Sequence, residues 1–206
     1  AFLLTLAIFA LTLVFSLPLG LLVALGRMSK IAPLRWLVKA YIAVIRGTPL
    51  VLQLMMIYFG PNLIFGITLP GNWRFNATIV AFALNYAAYF AEIYRGGIES
   101  MPLGQYEAAE VLGYSKRRTF LTIILPQVVK NILPAVTNEV IILVKDTSLA
   151  YALGVVEMFT MAKQIAVAPK SPGMLTFVVA AAIYFVFSLL VALVMEHMEK
   201  RLNYYR

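Results

Sequence analysis

Cysteine is absent from the chain, and histidine occurs once, at His197. Disulfides, thiolate catalysis and cysteine-metal sites are therefore excluded, and no multi-histidine metal cluster can form. Charge is scarce as well: Asp, Glu, Lys and Arg make up 13% of the residues, where soluble domains carry about 25%. No GxxxxGK[ST] phosphate loop occurs, so the chain supplies no ATPase of its own. Gly-x-Ser-x-Gly and HExxH are missing too, which argues against an intramembrane enzyme.

What fills the space is apolar. Hydrophobic residues reach 62%, above the soluble share of roughly 45–50%, and the chain reads as an all-α integral membrane protein. Five runs are long enough, at 1.5 Å per residue, to cross a core about 30 Å thick. They extend from Phe2 to about Gly26, Tyr41 to Phe59, Asn76 to Tyr94, Leu121 to Val144 (interrupted by Pro126 and Pro134) and Met174 to Met195. The first is too long for a signal-peptide core and has no basic leader, so it is read as a retained span; the start at Ala1 suggests that a few residues precede it. No internal repeat or second domain emerges, and residues 1–206 are read as a single transmembrane domain. Between the fourth and fifth spans, Val155, Phe159, Ala162 and Ala166 recur at helical spacing and predict a short helix lying along the interface.

The net charge of +8 does not form the stripe expected of a nucleic-acid binder. Its cations fall in short clusters beside the apolar runs. One side collects Arg27, Lys30, Arg35, Lys39, Arg46, Arg95, Lys116, Arg117, Arg118, Lys130, Lys200, Arg201 and Arg206, while the other holds only Arg74, Lys145, Lys163 and Lys170. By the positive-inside rule the amino terminus is outside and the carboxyl terminus cytoplasmic. Trp36, Trp73, Tyr204 and Tyr205 read as interfacial anchors, and His197 as an interfacial surface residue. Asn76-Ala-Thr78 fits a glycosylation triplet of a kind common by chance.

The polar segment from Gly104 to Arg118 then faces the cytoplasm. Pro102-Leu103-Gly104 cannot easily continue a helix, so a new one should begin near Gln105 and run about two turns to Leu112. Gly113 suits a left-handed C-cap, and Ser115 can cap the following helix. Ala108 and Ala109 keep the short helix thin for a close partner, and Glu107 and Glu110 offer charge for recognition. On these grounds alone, an ordinary loop containing a helical turn is an equal alternative.

Glu107-Ala108-Ala109, three residues, Gly113, nine residues, then Ile123-Ile-Leu-Pro126 resembles the EAA signature of permease subunits of bacterial ABC importers. Arg46-Gly-Thr-Pro-Leu50, Ala88-Tyr-Phe-Ala-Glu92, Arg95-Gly-Gly-Ile98 and Lys145-Asp-Thr-Ser-Leu149 are similar to the polar amino-acid permeases, and the likeness covers nearly the whole chain. The resemblance implies a type I ABC-importer permease fold in a bacterial cell membrane, with residues 103–113 as the coupling helix. Glu107, Ala108, Ala109 and Gly113 would contact a groove of a cytoplasmic ATPase dimer. ATP and Mg would be bound by that partner, not by this chain. A second permease, identical or paralogous, and an external amino-acid-binding protein would complete the assembly.

Ionisable and amide groups inside a span are expensive and suggest function. Asn85, Tyr89 and Glu92 share one face of the third span; Glu139 and Asp146 share one of the fourth, about 13 and 24 Å along the axis from Lys130. Asn85, Glu139, Asp146 and Ser148 are therefore expected to line a substrate pathway at the permease dimer interface. Alternatives remain: Asp146 capping the next turn or pairing with Lys145, Glu92 pairing with Arg95 or Arg46, and Asn138 binding a neighbouring helix. The intramembrane carboxylates favour a basic amino acid (arginine, lysine or histidine) over glutamine or glutamate. A passive channel or a structural subunit is the rival reading, distinguished by whether uptake requires ATP.

Overall fold

A computed structural model describes residues 1–202; the tail residues Tyr204, Tyr205 and Arg206 lie outside the described residues. The described chain is helical throughout and contains no strand. Helix α1 spans Phe2–Arg27, α2 Ala32–Gly47, α3 Leu50–Phe65 and α4 Trp73–Glu99. Helix α5 (Leu103–Val111) and the single turn α6 (Lys116–Thr119) lead through one wider π-type turn, Phe120–Ile124, into α7, Leu125–Asp146. A 3-10 stretch (Thr147–Leu153), α8 (Met158–Ala166) and α9 (Met174–Leu202) complete it. Four helical runs are long and apolar enough to cross a membrane, and the bent pair α2–α3 passes the same test when it is taken as one broken span.

That fifth span departs from the expectation of one straight helix over Tyr41–Phe59. Its two halves meet at 112°. Thr48, forced extended by the following Pro49, ends α2 at φ −123° and ψ 147°. Backbone carbonyls released at such a break must find donors when no water is at hand. Gln53 supplies them: its Nε2 lies 2.8 Å from the Ile45 carbonyl and 3.0 Å from that of Thr48.

The fourth span starts earlier and ends later than its hydropathy indicates, running helically from Lys116 to Leu153. Pro126 has no N–H to donate, and the chain absorbs it with the π-type turn just before it, where the Leu125 amide reaches back to Phe120. Pro134 sits within α7.

Helix α4 is the core of the bundle. Ala77, Ala81, Phe82, Ala87, Ala88, Phe90 and Ala91 on it are fully buried. Helix α1 lies on α4 through Thr5, Ile8, Thr12, Ser16, Gly20 and Ala24, small residues that recur every three or four positions. Packing of this kind lets two membrane helices approach closely where no hydrophobic effect drives them together. A Cβ at Gly20 would stand 2.8 Å from that of Phe90. By contrast α9 buries only Ala180, leaving Phe185, Leu190 and Val194 exposed to lipid or a neighbouring subunit.

At the end of the bundle that carries α5, Gly97 of α4 presses against α7. An added Cβ there would fall 2.1 Å from Cγ2 of Ile132 and 3.3 Å from Cγ1 of Val128. Met101, Ile124 and Val128 form a separate small core at this crossing, with Tyr106 of α5 packed against it.

Candidate functional site

Helix α5 begins two residues sooner than expected, directly after Pro102, whose extended backbone (φ −60°, ψ 134°) sets its start. Its end follows the sequence reading. Gly113 is left-handed at φ +75°, its amide donates to Glu110 and the Tyr114 amide donates to Ala109. These two bonds make a Schellman closure that satisfies the last carbonyls of the helix. Ser115 then caps α6, its Oγ accepting from the Arg118 amide at 3.4 Å.

Short helices are marginal in water, so α5 needs tertiary support. It comes from Gln105 and Gln127, whose side-chain amides exchange two hydrogen bonds of 2.8 Å each. Gln127 also donates to the Ile123 carbonyl, 2.8 Å away, which anchors its side chain to the π-type turn that precedes α7. Beside the helix, Tyr106, Glu110, Tyr114, Lys116, Thr119 and Phe120 line a cleft of ≈ 340 Å³. The Arg118 guanidinium lies 4.5 Å from the centre of the Tyr114 ring.

The four residues expected to meet a partner divide into two sets. Glu107, Ala108 and Gly113 are exposed, whereas Ala109 is 1% exposed and faces its own chain. Ala109 thus sets how deeply α5 sits and offers a partner no surface in this arrangement. Leu103, Val111 and Leu112 also stand exposed on and just after this helix, beside Glu107 and Ala108.

Inside the spans, the polar residues fall into distinct settings. Asn85 is buried, and its Nδ2 donates to Gln53 Oε1 at 2.9 Å. It therefore completes the splint across the α2–α3 break. Asp146 accepts a hydrogen bond from Tyr86 Oη at 2.7 Å, joining the far end of α7 to the core helix. Glu139 is half-buried and makes no hydrogen bond or ion pair among the described residues. Ser148 Oγ donates to the Lys145 carbonyl, 2.7 Å away, within its own turn. Glu92 pairs with Arg95 at 2.6 Å, and Glu99 pairs with the same arginine; of the two cations considered for Glu92, the structure takes the one on its own helix.

Arg46 changes place relative to the sequence reading. Its guanidinium sits 5.2 Å from the centre of the Tyr89 ring, about 15 Å back along α4 from Glu99 at 1.5 Å per residue. It is within electrostatic reach of both Glu139 and Glu92. The bend after Gly47 brings this cation inward from the basic rim of the bundle. Hydropathy alone could not show it.

Sequence reasoning also missed Glu157. This carboxylate is fully buried and accepts from the Phe159 amide (2.7 Å), the Thr160 amide (2.7 Å), Thr160 Oγ1 (2.8 Å) and Tyr184 Oη (2.9 Å). It caps α8 and fastens it to α9. The next amide, Met158, donates to Thr5 Oγ1 at 3.1 Å and adds α1 to the joint. A Glu immediately before a helix start was the available signal. The short helix is real, but Val155 precedes it and is buried among the core residues.

No group of three or more His, Asp or Glu among the described residues is placed to hold a metal ion. The polar groups are thus carboxylates and amides placed along the spans, with the exposed helix α5 at one end.

Comparison with known proteins agrees with that assessment. The family model described as the inner membrane component of binding-protein-dependent transport systems matches residues 16–204. The L-cystine transport system permease protein TcyB of Bacillus subtilis is 39% identical over 98% of this chain and 84% of the relative. The arginine transport system permease protein ArtQ of the same organism is 36% identical over 97% and 89%. A crystal structure of an amino acid ABC transporter with histidines superposes with a TM-score of 0.86 at 37% identity, covering 97% of this chain and 91% of that one. The fold is that of a type I ABC-importer permease, a multi-pass membrane subunit that is not itself an enzyme. With the helical bundle, the exposed α5 and a match over nearly its whole length, the chain belongs to the inner membrane components of binding-protein-dependent transport systems.

Proposed function

We propose that this chain is the translocating permease of an ATP-driven amino-acid importer, with residues 1–206 acting as one transmembrane domain. The observation that carries the reading is α5. It is closed at Gly113, bound to α7 by Gln105 and Gln127, and exposed along Glu107 and Ala108. A rigid, apolar-edged helix at the basic end of the bundle is what a cytoplasmic ATPase needs as a handle. Glu107, Ala108 and Gly113 meet a groove of that ATPase, and Ala109 seats the helix from below. The ATPase dimer binds ATP and Mg, while a second copy or a paralogue of the permease completes the pathway. An external binding protein delivers the amino acid on the side where the amino terminus lies, and the carboxyl terminus is cytoplasmic.

Glu139, Asp146 and Ser148 line the pathway, with Asn85 holding the bent span beside it. A half-buried Glu139 without a bonded partner, on the same face of α7 as the carboxylate of Asp146, favours a cationic amino acid such as arginine, lysine or histidine. The arginine permease among the relatives supports this, whereas a relative named for glutamine transport, 34% identical over 97% of this chain, supports glutamine as the second reading. The test is uptake into vesicles containing the chain, its ATPase and its binding protein. ATP-dependent accumulation of a basic amino acid, lost in Glu107→Arg while insertion persists, is the expected result. ATP-independent flux would overturn the importer reading, and accumulation of glutamine in place of arginine would overturn the substrate class.

A further inference from the structure

The basic residues after the first span do more than satisfy an orientation rule. Arg27 in the last turn of α1 and the exposed Arg35, Trp36 and Lys39 of α2 line one cleft of ≈ 150 Å³. The Lys39 ammonium lies 5.3 Å from the centre of the Trp36 ring, which holds it at the cleft. Lys30 sits in the same short connection. None of these four cations forms an ion pair with a carboxylate among the described residues. The chain has no Asp or Glu before Glu92, and Glu92, which Arg27 senses at a distance, is already bonded to Arg95. The cluster is therefore not neutralised locally.

The adjoining face of α2 is committed to packing. Val38, Tyr41, Ile42 and Ile45 join Ala24 of α1 and Ala88 and Ala91 of α4, and a Cβ on Gly26 would come within 3.0 Å of Val38. Arg35 and Lys39, both exposed at helical i, i+4 spacing, stand at the edge of that packed face next to Arg27. Beside them Ile31, Trp36 and Leu37 are exposed. Apolar groups so placed are at home among acyl chains, and Trp is favoured at the headgroup level.

We propose that this cleft is a binding site for the phosphate headgroup of an anionic phospholipid. Phosphate is the chemistry that convergent Arg and Lys donors recognise. A free phosphate would satisfy the cations equally well, but it would leave Ile31, Trp36 and Leu37 in water; a lipid covers both. Basic pockets between spans on the cytoplasmic side take such headgroups, and each Lys or Arg near the surface strengthens the attraction about fivefold.

The test is native mass spectrometry of the complete importer, released from nanodiscs of phosphatidylglycerol or phosphatidylcholine. Retention of phosphatidylglycerol over phosphatidylcholine is expected, falling about 25-fold in Arg35→Gln/Lys39→Gln. Charge-preserving Arg35→Lys/Lys39→Arg keeps the lipid and shows that the fold tolerates changes here. Lys200→Gln/Arg201→Gln, which removes two cations at the end of α9, retains it as well. Equal retention of the two lipids, or equal loss in the α2 and α9 double variants, would overturn the site. Displacement of the lipid by millimolar inorganic phosphate would overturn a lipid as its occupant.

Discussion

Gln105 and Gln127 hold each other by two hydrogen bonds of 2.8 Å, one in each direction, although 22 residues of chain separate them. This amide pair is the direct side-chain bond between the docking helix α5 and the membrane helix α7. On the proposed coupling role of α5, a push on that helix would pass to α7 through this pair.

Breaking the pair should therefore uncouple the importer before it unfolds it. Gln127→Leu leaves the Gln105 amide without its partner, at a cost of about 1–3 kcal/mol. Transport per ATP hydrolysed should fall while membrane insertion is unchanged. Replacing both residues with leucine should recover much of the stability, since an apolar pair leaves no amide unmatched. A double-mutant cycle on the melting temperature measures this; purely additive losses would count against it.

Gly113 is the second point of control. At φ +75° an L-residue is strained by about 1–2 kcal/mol, and a β-branched one by more. Gly113→Val should open the Schellman closure and displace Leu112, with loss of ATPase co-purification. Gly113→Asn, which tolerates the left-handed region, should be much milder.

At Gly97 the constraint is space. A side chain there would overlap Ile132, and overpacking of this sort costs about 1–3 kcal/mol. Gly97→Leu should lower the melting temperature of the purified complex, and Ile132→Ala in the same chain should restore part of it. An unchanged melting temperature in the single variant would contradict the close crossing of α4 and α7.

Glu157→Gln tests the buried joint of α8, α9 and α1. A glutamine has a single acceptor oxygen where the carboxylate uses both, so one set of its four donors loses its partner. With hydrogen bonds to charged groups contributing about 1.5–3 kcal/mol, amide hydrogen exchange should accelerate at Phe159 and Thr160. Exchange at α5, at the other end of the bundle, should stay as it was.

Glu139→Gln and Asp146→Asn separate the pathway reading from a structural one. Asp146 carries the Tyr86 bond, so Tyr86→Phe serves as its structural control. If these carboxylates attract a cationic amino acid, both variants should raise KM for arginine or lysine with insertion intact, and Tyr86→Phe should affect stability more than KM. Unchanged kinetics and specificity would remove Glu139 and Asp146 from the pathway.

Much of this molecule was open to a reader of the sequence. Span number, the short helix between Pro102 and Gly113, the cap at Ser115 and the helix before Ala166 all rest on local rules: hydropathy over about 20 residues, the missing N–H of proline, and the left-handed freedom of glycine. Such rules act within a few residues of where they are written.

What the tertiary structure decided lies in contacts that no local rule encodes. The expected straight second span became a bent pair, because Thr48 before Pro49 breaks the ladder and Gln53 and Asn85, 32 residues apart, repair it. The same bend draws Arg46 inward to Tyr89. Ala109 and Ala108 are indistinguishable as letters, yet one is buried and the other exposed, because only the docked position of α5 gives the helix an inside. Glu157 gained its importance from Tyr184 and its neighbour's bond to Thr5, one of them 153 residues away. Chain chemistry set which segments are helices and which could enter a bilayer. The low polarity around them then favoured partners across the bundle for Gln53, Asn85, Asp146 and Glu157, and those pairings fix how the helices sit against one another.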